Sequence, residues 1–205
     1  MKQFWEDRYA LQDYAYGIHP NVFLKEYLHE KQPGNILLAA EGEGRNAVYA
    51  AKLGWAVTAF DYSEEAQKKA LILAEREQVS FKYTVDDYAS FQSAEEGYDV
   101  IALIYAHTDP ETRRLFLARL STLLSPGGEV VLEGFSKEQL GKSSGGPKSL
   151  EMLWDAEALA KELTGLKVLY SESLNIVLDE GEYHQGEASV IRIIASKEMQ
   201  KGTIS

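Results

Sequence analysis

The segment Glu41-Gly42-Glu43-Gly44-Arg45-Asn46 interrupts an apolar run that begins at Ile36, and Asp61 follows Gly44 by 17 residues. Two glycines in a Gly-x-Gly turn after a buried strand allow a sharp reversal. They also remove the Cβ atoms that would hold an adenosine-sized ligand away. An acidic side chain near this spacing accepts both hydroxyls of a ribose. Asp61 reads otherwise as a surface residue opening a turn, and the glycine turn before it favours the ribose role. Asp87-Tyr88 offers an acceptor for an adenine amino group and an aromatic face to cover the base, with Asp86 as the rival acceptor. Tyr105-Ala106-His107 and, far along the chain, His184 supply imidazoles for general-base work or for orienting an acceptor. The competing readings are a structural hydrogen-bonded His107 and a solvated hairpin His184. Together these residues describe binding of an adenosine-bearing cofactor beside a second, reacting molecule.

Such residues act together only if an open parallel sheet gathers them, because ligands bind outside the carboxyl ends of its strands. The apolar periodicity predicts strands over 35–40, 56–60, 81–85, 99–105 and 129–135, alternating with helices over 45–53, 64–77 and 110–124. Gly54 stops the first of these helices, Ser63 caps the second, and Asp109-Pro110 opens the third. Residues 136–150, rich in Gly, Ser and Lys, read as too polar to bury and as a mobile flap. Asp155 caps a short helix to Leu163. Two last strands, 167–178 and 188–197, are joined by a connection too short for a crossover helix, so they are antiparallel neighbours. The fold class is α/β with a doubly wound sheet, in one domain over 1–197 with a helical segment at 1–33 and a tail at 198–205.

The chain has 205 residues, a net charge of −11 and no cysteine. A core of that size needs no disulfide or metal staple, and the acidic field repels nucleic acid and anionic membranes. Thiol catalysis and thiolate metal sites are excluded, and no metal is expected. Residues 1–8 lack the apolar core of a signal peptide, and no run reaches the roughly 18 apolar residues of a bilayer span. These features read as a cytoplasmic protein acting on a small molecule.

The glycine turn with Arg45-Asn46-Ala47, Asp61, Asp87-Tyr88, Tyr105-Ala106-His107 and Ser125-Pro126-Gly127-Gly128 resemble class I S-adenosylmethionine-dependent methyltransferases over nearly the whole chain. Phe4-Trp5 to Arg8-Tyr9, Tyr16-Gly17, Pro20-Asn21, Gly145-Gly146-Pro147-Lys148 and Glu180 to Gly186 are similar to the tellurite-resistance and thiopurine methyltransferase-like branch. The resemblance implies a seven-stranded sheet ordered 3-2-1-4-5-7-6 with strand 7 antiparallel. It implies S-adenosylmethionine as cofactor, with Gly42 and Gly44 beside its methionine part, Asp61 with Tyr62 at the ribose, and Asp87 with Tyr88 at the adenine. The superfamily often has an acid where Leu38 stands and a glycine where Ala40 stands, so Glu41 takes over the cofactor's ammonium end. Arg45 and Asn46 point donors at the cofactor carboxylate, Trp5 and Tyr16 close over the sulfonium, and Tyr105 walls the acceptor. His107 and His184 are the candidate catalytic residues.

The activity so implied is methyl transfer to a small acceptor such as a thiol or chalcogen oxyanion. Two alternatives stand beside it. One is a non-catalytic binder of S-adenosylmethionine or S-adenosylhomocysteine. The other is a nicotinamide oxidoreductase, which Gly42-x-Gly44-x-x-Ala47 also permits. Against the latter, the Tyr27-x-x-x-Lys31 motif precedes the first strand, where no dehydrogenase catalytic pair lies.

Overall fold

The computed structural model describes residues 2–93 and 97–199. Most of the expected tail therefore lies outside the described residues. Helices α1 (Lys2–Tyr9) and α2 (Val22–His29) lead into β1 (Asn35–Ala39), α3 (Arg45–Lys52), β2 (Ala56–Asp61), α4 (Glu64–Arg76) and β3 (Lys82–Val85). There follow β4 (Tyr98–Ile104), α5 (Pro110–Leu123), β5 (Leu124–Phe135), α6 (Ala156–Glu162), β6 (Lys167–Asp179) and β7 (Gln185–Ser196). The strands form one seven-stranded sheet in the order β3-β2-β1-β4-β5-β7-β6. Strands β1 to β5 run parallel, and β7 is antiparallel to both β5 and β6. The order and the final hairpin agree with the sequence reading.

The central strands are apolar on both faces because helices cover both. Leu37, Ile101, Leu103, Val130 and Leu132 pack beneath Phe116 and Leu120 of α5 and Leu159 of α6. Ile36, Leu38, Val100, Ala102 and Val131 pack on the other side against Leu24 and Leu28 of α2 and Ala47 and Ala50 of α3. Burial on both faces is what an alternating βα order imposes on a parallel sheet. Helix starts follow local capping: the side chains of Ser63, Asp109 and Asp155 accept from the amides of Ala66, Thr112 and Ala158. Among the described residues, no helix is long and apolar enough to cross a membrane.

The segment after β5 departs from expectation. It was read as too polar to bury, yet Gln139 and Ser144 are almost fully buried. Gln139 donates to Ser144 Oγ and to the Gly145 carbonyl, and its own oxygen accepts from the Ser189 amide of β7 at 2.8 Å. Polar side chains bury readily when each finds a partner, and composition alone does not reveal the partner.

Candidate functional site

The order in which strands are added reverses between the parallel neighbours β1 and β4, and a cavity of about 180 Å³ lies at the sheet's carboxyl edge. Asp61 and Tyr62 after β2, Asp87 and Tyr88 after β3, and Tyr105 and His107 after β4 all line it. Trp5 and Tyr9 of α1 close it from the side, with Trp5 stacked on Tyr9 at 5.4 Å between ring centroids. Ala40 and Tyr105, at the ends of the two diverging strands, both line the cavity and both adopt left-handed backbone, with φ of 51° and 53°. Such conformations cost free energy in residues with a Cβ and persist where the surroundings enforce them.

Asp61 is 5% exposed; its Oδ2 accepts from the Gly42 amide at 3.2 Å and its Oδ1 from the Ser63 amide at 3.0 Å. Burial pushes its carboxyl up to about 6 even though these amides favour the anion. The glycine turn and the acid are thus one hydrogen-bonded unit. Beside it, the Tyr62 hydroxyl is buried and meets no partner among the described residues. A carboxylate with spare lone pairs next to an unpartnered phenol fits the paired hydroxyls of a ribose. Asp87 uses Oδ1 to accept from the amides of Ala89 and Ser90, and hydrogen bonding from Ser90 holds its carboxyl below the usual range. Tyr88 is buried and edge-on to Phe60, with its hydroxyl donating to the Ala106 carbonyl, so it forms a fixed wall.

Several expected contacts turn elsewhere. Glu41 caps α3: Oε1 accepts from the amides of Asn46 and Ala47 at 2.9 and 2.7 Å. Its carboxyl is raised to about 7 by burial and satisfies bare amides at the helix terminus. Gly44, with φ of 87°, caps the same helix, and a Cβ there would stand 2.7 Å from that of Ala70, so its smallness serves the packing of α3 on α4. Arg45 donates to Glu180 Oε2 at 3.0 Å and to the Tyr16 carbonyl, and Asn46 Oδ1 accepts from the Asn21 amide. These two residues bind the N-terminal segment to the domain. Tyr16 lies outside the cavity lining; it accepts from Arg8 at 2.9 Å and packs on the His184 ring at 4.4 Å.

His107 lines the cavity but has no free nitrogen. Nδ1 lies 2.9 Å from the Met152 carbonyl, to which it donates, and Nε2 accepts from the Phe135 amide at 2.9 Å. Burial drives its pKa down to about 4. A neutral ring with both nitrogens committed holds β5 to the segment after it. His184 is buried outside the lining, edge-on to Tyr105 at 4.5 Å, with Nδ1 3.3 Å from Glu180 Oε2. Burial lowers its pKa, so it is neutral and donates through Nδ1. Burial opposes the Glu180 charge, but the hydrogen bonds from His184 and Arg45 prevail and hold its pKa at about 2.

Sequence reasoning missed the hub of this polar layer, Glu133, which is fully buried on β5. It accepts from Asn21 Nδ2 at 2.6 Å, from the Tyr105 hydroxyl at 3.0 Å and from Arg192 Nε at 2.5 Å. An acid inside an otherwise apolar strand was the available signal, since such a residue demands buried partners.

Residues 36–128 match the model of a family described as a methyltransferase domain. A search of curated sequences finds no matching relative. Among solved structures, a protein of the conversion of a disulfide bond into a thioacetal group during echinomycin biosynthesis superimposes with a TM-score of 0.77 at 17% identity, over 100% of this chain and 95% of that one. TehB from Haemophilus influenzae gives 0.72 at 16% identity, over 96% of this chain and 67% of that one. The N-methyltransferase NodS from Bradyrhizobium japonicum WM9, in complex with S-adenosyl-L-homocysteine, gives 0.69 at 17% identity, over 96% and 97%. By its sheet this chain has the fold of class I S-adenosylmethionine-dependent methyltransferases, and its residues 36–128 are similar to a methyltransferase domain.

Proposed function

We propose that the chain transfers the methyl group of S-adenosylmethionine to a small, soft acceptor, a thiol or a chalcogen oxyanion. The enzyme class, methyltransferase, and the methyl donor follow from the matched domain and its fold. The acceptor rests on one observation: of the described residues lining the cavity, the two expected on the acceptor side, His107 and Tyr105, are not free to serve as a base near neutral pH, while Asp61 and Asp87 are assigned to the donor. His107 has both nitrogens engaged, and burial together with Glu133 raises the Tyr105 hydroxyl well above its ordinary pKa. Alcohols and amines need such a base, whereas an acceptor already ionised needs only placement. When bound, the sulfonium supplies an electrophilic methyl group.

Asp61 and Tyr62 hold the ribose, and Asp87 with Tyr88 holds the adenine. Trp5 offers an aromatic face to the sulfonium charge and excludes water. The cavity is smaller than the roughly 300 Å³ at which small-molecule sites begin, so α1 moves aside to admit both molecules. Glu6 holds α1 in place by accepting from Ser63 Oγ at 2.7 Å and from the amides of Glu64 and Glu65. A place in the tellurite-resistance and thiopurine-like branch is supported by the paired motifs at both ends of the chain and by the likeness to TehB. His184, held by Glu180 behind Tyr105, orients the acceptor side rather than acting as the base.

Calorimetry with S-adenosylmethionine, S-adenosylhomocysteine and NADP separates this reading from an oxidoreductase, with binding expected for the two sulfur ligands alone. Incubation with thiols, thiopurines, tellurite, alcohols and amines then separates an enzyme from a binder. Methylated alcohol or amine in preference to thiol or tellurite would overturn the acceptor class. No product from any acceptor, with binding intact, would leave the non-catalytic binder.

A further inference from the structure

Strand β6 forms one edge of the sheet and pairs with β7 alone. Along its 13 residues the outer amides and carbonyls meet no strand among the described residues. The other edge, β3, is four residues long and carries Lys82, the kind of short charged strand that discourages pairing. In β6 the interior, Val168 to Leu178, holds neither lysine nor proline. It exposes Leu169 by 52% and Val177 by 77%.

The chemistry of β6 is symmetric about Ser173. When the strand is laid antiparallel on a second copy of itself with Ser173 at the centre, Ser171 meets Asn175 and Leu169 comes beside Val177. Lys167 comes to the end that carries Asp179. Opposite charges therefore face each other at both ends, and the exposed apolar residues face each other between them. Glu172, the acid nearest the centre, comes opposite Leu174 and already accepts from the Tyr170 hydroxyl. The register shift between Val168 and Tyr170 falls at Leu169, so the regular overlap runs from Tyr170 to Ile176; beyond it Leu169 still comes beside Val177, and the long lysine side chain spans the one-residue offset at the end. A two-fold arrangement of this kind uses the same patch on both copies, so each favourable pair occurs twice.

We propose that two copies associate through β6, antiparallel about Ser173, joining two seven-stranded sheets into one. The occupant of this edge is a second copy because the strand complements itself in charge, in apolar contact and in backbone hydrogen bonding.

Sedimentation equilibrium of the full chain from about 1 to 100 µM tests this, with a reversible dimer expected. Val177→Lys puts a charge in the shared apolar contact and raises the dimer dissociation constant about tenfold or more. Lys167→Glu and Asp179→Lys each weaken the dimer, and the double variant regains affinity. All three positions are exposed, so circular dichroism should report an unchanged fold. A monomer throughout the concentration range overturns the proposal. So does a dimer whose dissociation constant Val177→Lys leaves within about twofold, and so does a double variant no tighter than the singles.

Discussion

Asp61 joins the glycine turn in the structure and, in the proposed function, sets affinity for the donor. It is buried against the Gly42 amide, and its carboxyl is raised to about 6. Only the anion accepts two hydroxyls, so donor affinity should fall about tenfold per pH unit below pH ~6. Asp61→Asn should weaken binding by about 1 to 3 kcal/mol and flatten that dependence. Calorimetry from pH 5 to 8 checks both, and unchanged affinity would remove Asp61 from the site. Asp61 was legible because its spacing from a glycine turn fixes its place on the sheet. Glu41, Arg45 and His107 were not, although their positions along the chain were read correctly. Spacing says where a side chain starts; its partner decides where it ends. The bare amides of α3 recruited Glu41, Glu180 recruited Arg45, and the backbone around Met152 and Phe135 took both nitrogens of His107.

Among the elements, α3 and α4 pack at a separation that Gly44 sets. A Cβ at that position would stand 2.7 Å and 2.9 Å from the Cβ and Cα of Ala70, on a backbone with φ of 87°. Gly44→Ala should therefore cost about 2 to 4 kcal/mol, read as a lower urea midpoint; a loss under about 0.5 kcal/mol would refute the packing role. The sheet order needed the resemblance, while the antiparallel β6–β7 pair needed only the shortness of its connection. Within residues 136–150, the burial of Gln139 and Ser144 was not legible for a different reason. Their anchors, Gln139 and Ser144, bind Ser189 and Glu187, more than 40 positions away along the chain. A window of composition cannot contain a contact of that range.

At the scale of the whole molecule, acidity has a thermodynamic consequence. Glu41 and Asp61 hold protons more tightly folded than unfolded, with values of about 7 and about 6 against an ordinary carboxylate value near ~4. Their contribution to stability is full below pH ~4 and is lost as pH rises through ~6 to 7. The depressed His107 and His184 act in the opposite sense below their ordinary value of ~6.5, so melting temperature should fall between pH 6.5 and 8, and Glu41→Gln should remove part of that slope. A melting temperature that rises across that interval would contradict the burial assigned to these groups. The capping of α3 by Glu41 reaches further still. A helix terminus that elsewhere attracts anions is here already capped from within, and the acids that line the hollow are Asp61 and Asp87. A sulfonium loses its positive charge in the instant it gives up a methyl group. Spent donor should then be held less firmly than fresh donor, and calorimetry with the two sulfur ligands checks the order.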